Sequence, residues 1–182
     1  MKVFKLIALL LDYPTDESLN ALNTLVNESH SALTLVAGLD TEDLFSPEER
    51  EELANFVEQI LRADRDALQA EYVQTFDLTA EHSLHLTHHL FGEEKSRGPA
   101  LIDLGEFYAA HGLECDKREL PDYLPMMLEF ASEITPEESK VFLGEIGKVL
   151  KVLADNLEAG ASRYAPLVRI VERQSGLVRL AS

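Results

Sequence analysis

Thr135-Pro136-Glu137-Glu138-Ser139-Lys140-Val141-Phe142-Leu143-Gly144-Glu145-Ile146-Gly147-Lys148-Val149-Leu150-Lys151-Val152-Leu153-Ala154-Asp155-Asn156-Leu157 carries both the start and the body of a helix. A hydroxyl comes first, proline takes the first helical position and glutamate the third, the order that satisfies free amides at a helix start. The two glutamates also sit at the positive end of the helix dipole. Phe142, Ile146, Val149, Leu150, Leu153 and Leu157 then recur every three or four residues, which is one face of a 3.6-residue repeat.

The same grammar extends upstream. Ser46-Pro47-Glu48-Glu49 repeats the starting signal, and Phe56, Ile60 and Leu61 follow it. Leu68, Tyr72 and Phe76 continue the pattern after an exposed Asp64–Arg65 step. Leu19, Leu22, Val26, Leu33 and Val36 read as one helical face. Leu101, Leu104 and Tyr108 form a stripe that Gly112 should close as a carboxy-terminal cap. Asp122 is placed to cap a helix carrying Leu124, Met127, Leu128 and Ala131, and a last helix is expected over Arg163–Gln174, ending before Gly176. Leucine occurs 31 times against 17 for valine and isoleucine together, and no sustained apolar–polar alternation appears. These patterns predict an all-α chain, with residues 1–182 forming a single helical bundle of seven or eight helices.

Composition narrows the function. The 182 residues hold 33 acids and 16 bases, for a formal charge of −17. That balance argues against nucleic-acid binding, which needs a basic face, and against docking on an anionic membrane. It suits a basic partner. Residues 40–66 carry ten acids and three bases, and residues 114–138 carry eight and two. Each block reads as a solvated helix face or as an acidic rim for a basic peptide. Met1 to Leu11 has too short an apolar run and no cleavage site for a secretory signal, and no stretch is long enough to span a membrane. A cytoplasmic protein is expected.

Chemical motifs are few. Of His82, His85, His88 and His89, helical spacing would stack His82, His85 and His88 or His89 on one side, within reach of a shared ion, but no further ligand has a partnering spacing. A histidine-cluster metal-binding protein is therefore the alternative reading. Cys115 lies alone in the charged loop from Glu114 to Pro121, which excludes an internal disulfide. No phosphate loop, nucleophile elbow or HExxH is present, so the sequence predicts no enzyme and no cofactor.

Several blocks in fixed order carry a resemblance. They are Glu71-Tyr72-Val73-Gln74-Thr75-Phe76-Asp77, Ser83-Leu84-His85-Leu86, Phe91-Gly92-Glu93, Lys95-Ser96-Arg97-Gly98-Pro99-Ala100 and Glu119-Leu120-Pro121-Asp122-Tyr123-Leu124-Pro125, preceded by Leu10-Leu11-Asp12-Tyr13-Pro14. Together they resemble the NarJ family of nitrate reductase assembly chaperones (the delta subunit), within the wider TorD and DmsD superfamily. Relatives often carry histidine where this chain has Tyr123. The resemblance implies a helical, non-catalytic cytoplasmic chaperone. Its partner would be the apo catalytic (alpha) subunit of respiratory nitrate reductase, chiefly the amino-terminal leader, held ready for molybdenum cofactor insertion before membrane attachment. A chaperone for another molybdoenzyme of the TorD or DmsD type is the nearest variant.

A leader with arginines and an apolar helical face would lie in a groove between helices. Tyr72, Phe76, Leu104, Tyr108 and Met127 are candidates for that groove, or else for the core. Glu119 and Asp122 could pair with leader arginines. His85, Arg97 and Tyr123 lie on matching motif positions and are expected on the same face.

Overall fold

Ten α-helices occur among the residues that the structure, a computed structural model, describes: 1–91, 95–113 and 119–177. They are α1 (Lys2–Leu11), α2 (Asp16–Glu28), α3 (Ala32–Leu39), α4 (Pro47–Arg62), α5 (Arg65–Tyr72), α6 (Leu86–Phe91), α7 (Arg97–Ala110), α8 (Leu124–Glu133), α9 (Pro136–Ala159) and α10 (Ala165–Leu177). A π-helical turn, Val73–Asp77, extends α5, and a 3₁₀ turn covers Ala80–His82. The described residues contain no strand, only one antiparallel bridge between His85 and Tyr123. The all-α expectation holds, with more and shorter helices than the seven or eight read from the stripes.

The two starting signals work as the sequence implies. Ser46 and Thr135 each accept the amide of the glutamate three residues on, and that glutamate accepts the capping residue's amide in return. Each such cap contributes about 1 kcal/mol. At the end of α7, Gly112 takes φ +76. Its amide donates to the Ala109 carbonyl at 2.9 Å and that of Leu113 to the Tyr108 carbonyl at 3.1 Å, the paired bonds of a Schellman closure.

α1 is apolar on nearly every side, with Val3, Phe4, Leu6, Ile7, Ala8, Leu10 and Leu11 all buried. It packs mainly against α8 and also touches α3. α9 and α10 form the most extensive helix pair, and α4 lies against both α3 and α10. Close approach of α9 to α10 depends on Gly147, where an added Cβ would stand 2.6 Å from Ser175 Oγ. Tyr72, Phe76 and Tyr164 fill the junction of α5 and α10, with Phe76 and Tyr164 ring centres 4.9 Å apart.

Local breaks overturn four readings. Leu19 to Val36 is two helices, because His30 takes φ +68 and the Ser31 hydroxyl restarts the backbone by accepting the Thr34 amide. Leu33 consequently falls on an exposed side. The last helix begins at Ala165 and runs through Gly176 to Leu177, since glycine weakens a helix without obliging it to stop. Asp122 does not cap α8, whose capping residue is Tyr123. His82, His85 and His88 or His89 do not stack on one helical side, because the chain leaves the 3₁₀ turn at Ser83 and restarts at Leu86.

Candidate functional site

α6, α7, α8 and α9 surround an open groove of about 920 Å³. Leu86, Leu90 and Phe91 come from α6, and Leu104 and Phe107 from α7. Met127 of α8 and Val141, Phe142, Ile146 and Val149 of α9 complete an apolar lining. Leu90 and Val141 are each 60% exposed, and Phe107 is 41% exposed. The groove exists because α7 buries only Tyr108 among its fourteen residues. The Tyr108 ring packs 4.6 Å from that of Phe130, and its hydroxyl donates to the Pro121 carbonyl at 2.8 Å.

Acids edge the apolar surface. Asp103 of α7 and Glu137, Glu138 and Glu145 of α9 line the groove. Glu138 serves the Thr135 cap and lies 3.9 Å from His111 Nε2. Hydrogen bonds from Thr135 lower its carboxyl below the ordinary glutamate range. Asp103, Glu137 and Glu145 have no cationic partner among the described residues.

One buried carboxylate joins the walls. Asp122 is completely buried, and its Oδ2 accepts the Thr87 amide at 3.1 Å and the Thr87 hydroxyl at 2.5 Å. Its Oδ1 lies 3.2 Å from His85 Nδ1. Arg97 stands 3.6 Å from Oδ2 and donates through Nε to Thr87 Oγ1 at 3.0 Å. Burial pushes this carboxyl up, but the bonds from His85 and Thr87 outweigh it, so Asp122 is held below the ordinary aspartate range. Asp122 thus caps a helix other than its own, feeding the start of α6. Reciprocal backbone bonds, Leu86 to the Asp122 carbonyl and Leu124 to the Leu84 carbonyl, bring these segments together.

The resemblance blocks converge on the far side of that bridge. The Tyr123 hydroxyl donates to Asp12 Oδ1 at 2.9 Å and lies 3.0 Å from the Tyr72 hydroxyl. Tyr72 in turn lies 3.0 Å from the Leu11 carbonyl, and Tyr13 packs edge-on against it. Burial raises both the Tyr72 and Tyr123 hydroxyls, so both remain protonated donors.

Of the ten residues singled out from sequence, Leu104, Asp122 and Met127 line the groove, and Arg97 reaches Asp122. Tyr72, Phe76 and Tyr108 are buried and do not line it. His85 packs its ring 5.3 Å from that of Tyr123, away from the groove lining, and Glu119 is exposed outside it. His82 lies between the Thr75 and Asn156 carbonyls at 3.2 and 3.1 Å, and His89 lies 2.7 Å from the Ser83 carbonyl. No cluster of three metal-ligating groups occurs among the described residues. Cys115, Gly92 and Glu93 fall outside them.

The sequence reading missed Leu90, Phe107, Val141 and the unpaired acids. Two signals were present. α7 spreads Leu101, Ile102, Leu104, Phe107 and Tyr108 around its circumference, as a helix with a second apolar face would. Val141 interrupts the acidic side of α9 between Glu137 and Glu145.

Residues 42–169 match the family described as nitrate reductase delta subunit, and the chain belongs to that family. It is 33% identical over 162 residues to the nitrate reductase molybdenum cofactor assembly chaperone NarJ of Escherichia coli (strain K12), covering 89% of this chain and 64% of that protein. It is 32% identical over 166 residues to the probable chaperone of the same description, NarW, from that strain, covering 91% and 63%. The probable NarJ of Bacillus subtilis (strain 168) is 34% identical over 122 residues, covering 67% and 66%. The chain therefore spans less than two thirds of the length of each of these relatives. No described helix is long and apolar enough to cross a membrane.

Proposed function

We propose that residues 1–182 act as one non-catalytic, cytoplasmic chaperone domain for the catalytic subunit of a nitrate reductase. It seats that subunit's amino-terminal leader and keeps the apo-enzyme open for molybdenum cofactor insertion. The supporting observation is an apolar groove rimmed by three unpaired carboxylates, in a chain whose relatives are named molybdenum cofactor assembly chaperones. An amphipathic helix would place leucine-like side chains against Leu104, Met127 and Ile146. Basic residues on its flanks would meet Asp103 on one rim and Glu137 and Glu145 on the other. Met127 adapts its shape to imperfect partners.

This assigns two kinds of work to two kinds of residue. The apolar lining supplies affinity through area removed from water. The rim acids supply steering and register, and their share is screened by salt. Calorimetric titration of the chain with a synthetic leader peptide of the nitrate reductase catalytic subunit tests both. Saturable one-to-one binding that weakens with salt, and whose salt dependence is reduced by Glu145→Gln, is the expected result. A peptide that shows no binding even at low salt would remove the leader as the client segment.

A further inference from the structure

α7 buries little of its own surface, although Phe107 and Tyr108 pack their rings on Phe130 of α8. The one buried residue of α7, Tyr108, lies near its carboxy-terminal end. Arg97, at the opposite end, is eleven residues and about 16 Å away along the axis. Both side chains reach the same dipeptide: the Tyr108 hydroxyl bonds the Pro121 carbonyl, and the Arg97 guanidinium meets Asp122 and Thr87. Two long side chains from opposite ends of α7 therefore converge on adjacent residues and anchor the helix at both ends. The surface that α7 leaves open is part of the groove.

Asp122 is already committed within this arrangement. Both carboxylate oxygens are occupied by His85, Thr87 and Arg97, and no part of the residue reaches solvent. A ligand arginine could bond it only by displacing Arg97. We infer that Arg97 and Asp122 are positioning residues: through Thr87 they fix the amino-terminal end of α7 against α6 and so set the width of the groove. The role concerns the same groove proposed above for the leader, and it makes Asp122 a support for that site. The unpaired rim acids, by contrast, face the ligand.

The test uses the full chain, with Asp122→Asn, Arg97→Gln and their combination, and Glu145→Gln as the contrasting variant. Amide hydrogen exchange on the free protein reads the tether without any peptide. Titration with the leader peptide at several salt concentrations reads its effect on binding. Each tether variant should accelerate exchange in the first turns of α7, because a charged hydrogen bond that holds this end is lost, and should weaken peptide binding severalfold. The salt dependence should stay as in the unaltered chain, and the double variant should be hardly worse than either single one. Glu145→Gln should reverse the pattern, with lower salt dependence and unchanged α7 exchange.

Unchanged α7 exchange in both single variants would overturn the inference. So would a fall in salt dependence for Asp122→Asn equal to that for Glu145→Gln, which would make Asp122 a direct ligand contact. If Asp122→Asn does not fold, Arg97→Lys replaces it, keeping the charge while losing the Nε donor to Thr87 at a partly exposed site. Accelerated exchange in the tether variants, with no peptide bound even by the unaltered chain, would overturn the leader reading alone and support the tether.

Discussion

Val141→Ser separates a ligand-binding groove from an exposed apolar surface of no consequence. Val141 is 60% exposed on α9, between Glu137 and Glu145 in the groove lining. Fully burying a valine side chain contributes roughly 1.5–3 kcal/mol, so covering its open part should contribute about 1–2 kcal/mol. Serine forfeits that share, which corresponds to about a five- to thirtyfold weaker complex. Folding should be little affected, because serine and valine have similar helix propensity and the position is exposed. Val152→Ser is the matched control. Val152 is 48% exposed on the same helix, eleven residues further along and therefore on nearly the same face. It does not line the groove. Binding of a labelled leader peptide, followed by fluorescence anisotropy beside thermal melts, should show loss for Val141→Ser alone. Equal losses for the two variants, or full affinity in Val141→Ser, would refute the assignment of the groove.

Two further outcomes concern the frame that carries the site. Gly147→Ala should gain about 1 kcal/mol of helix propensity yet destabilise the chain overall by about 1–2 kcal/mol, because its Cβ meets Ser175. Denaturant melts should recover most of that loss in the Ser175→Ala background, and an identical cost in both backgrounds would disprove the contact. His89 titrates below the ordinary histidine value of 6.5, chiefly through burial, with the bond to the Ser83 carbonyl opposing and His88 and His82 adding to the depression. The unfolded chain therefore takes up this proton first as pH falls. Stability should decline from about pH 6.5 downward until the folded histidine also titrates. His89→Gln should flatten that decline in melts across this range, and an unchanged slope would assign it elsewhere.

What was legible in the sequence was what neighbours along the chain determine. Ser46 and Thr135 announce their helices because a cap needs only the next three residues, and Gly112 ends α7 for an equally local reason. The break at His30 was written in Ser29-His30-Ser31, but the stripe from Leu19 to Val36 keeps helical spacing across it. The role of Asp122 was hidden, since Thr87 and Arg97 lie 35 and 25 positions away, too far along the chain for a local capping pattern to connect them. Tyr72 and Leu104 looked alike as apolar positions on periodic stripes. Only the placement of α7 leaves one in the core and the other in the groove.

The pairing of α1 with α8 has a consequence in time. Seven of the ten residues in α1 are buried, yet its main partner begins at Leu124, 113 positions after Leu11. At typical synthesis rates that interval lasts about 6 to 20 s. During it the first helix has left the ribosome without the surface it is shaped to meet. Closure of the core must wait for most of the chain, a strongly non-local step that slows folding. For those seconds the nascent protein is itself an unfinished chain with an apolar segment awaiting its match.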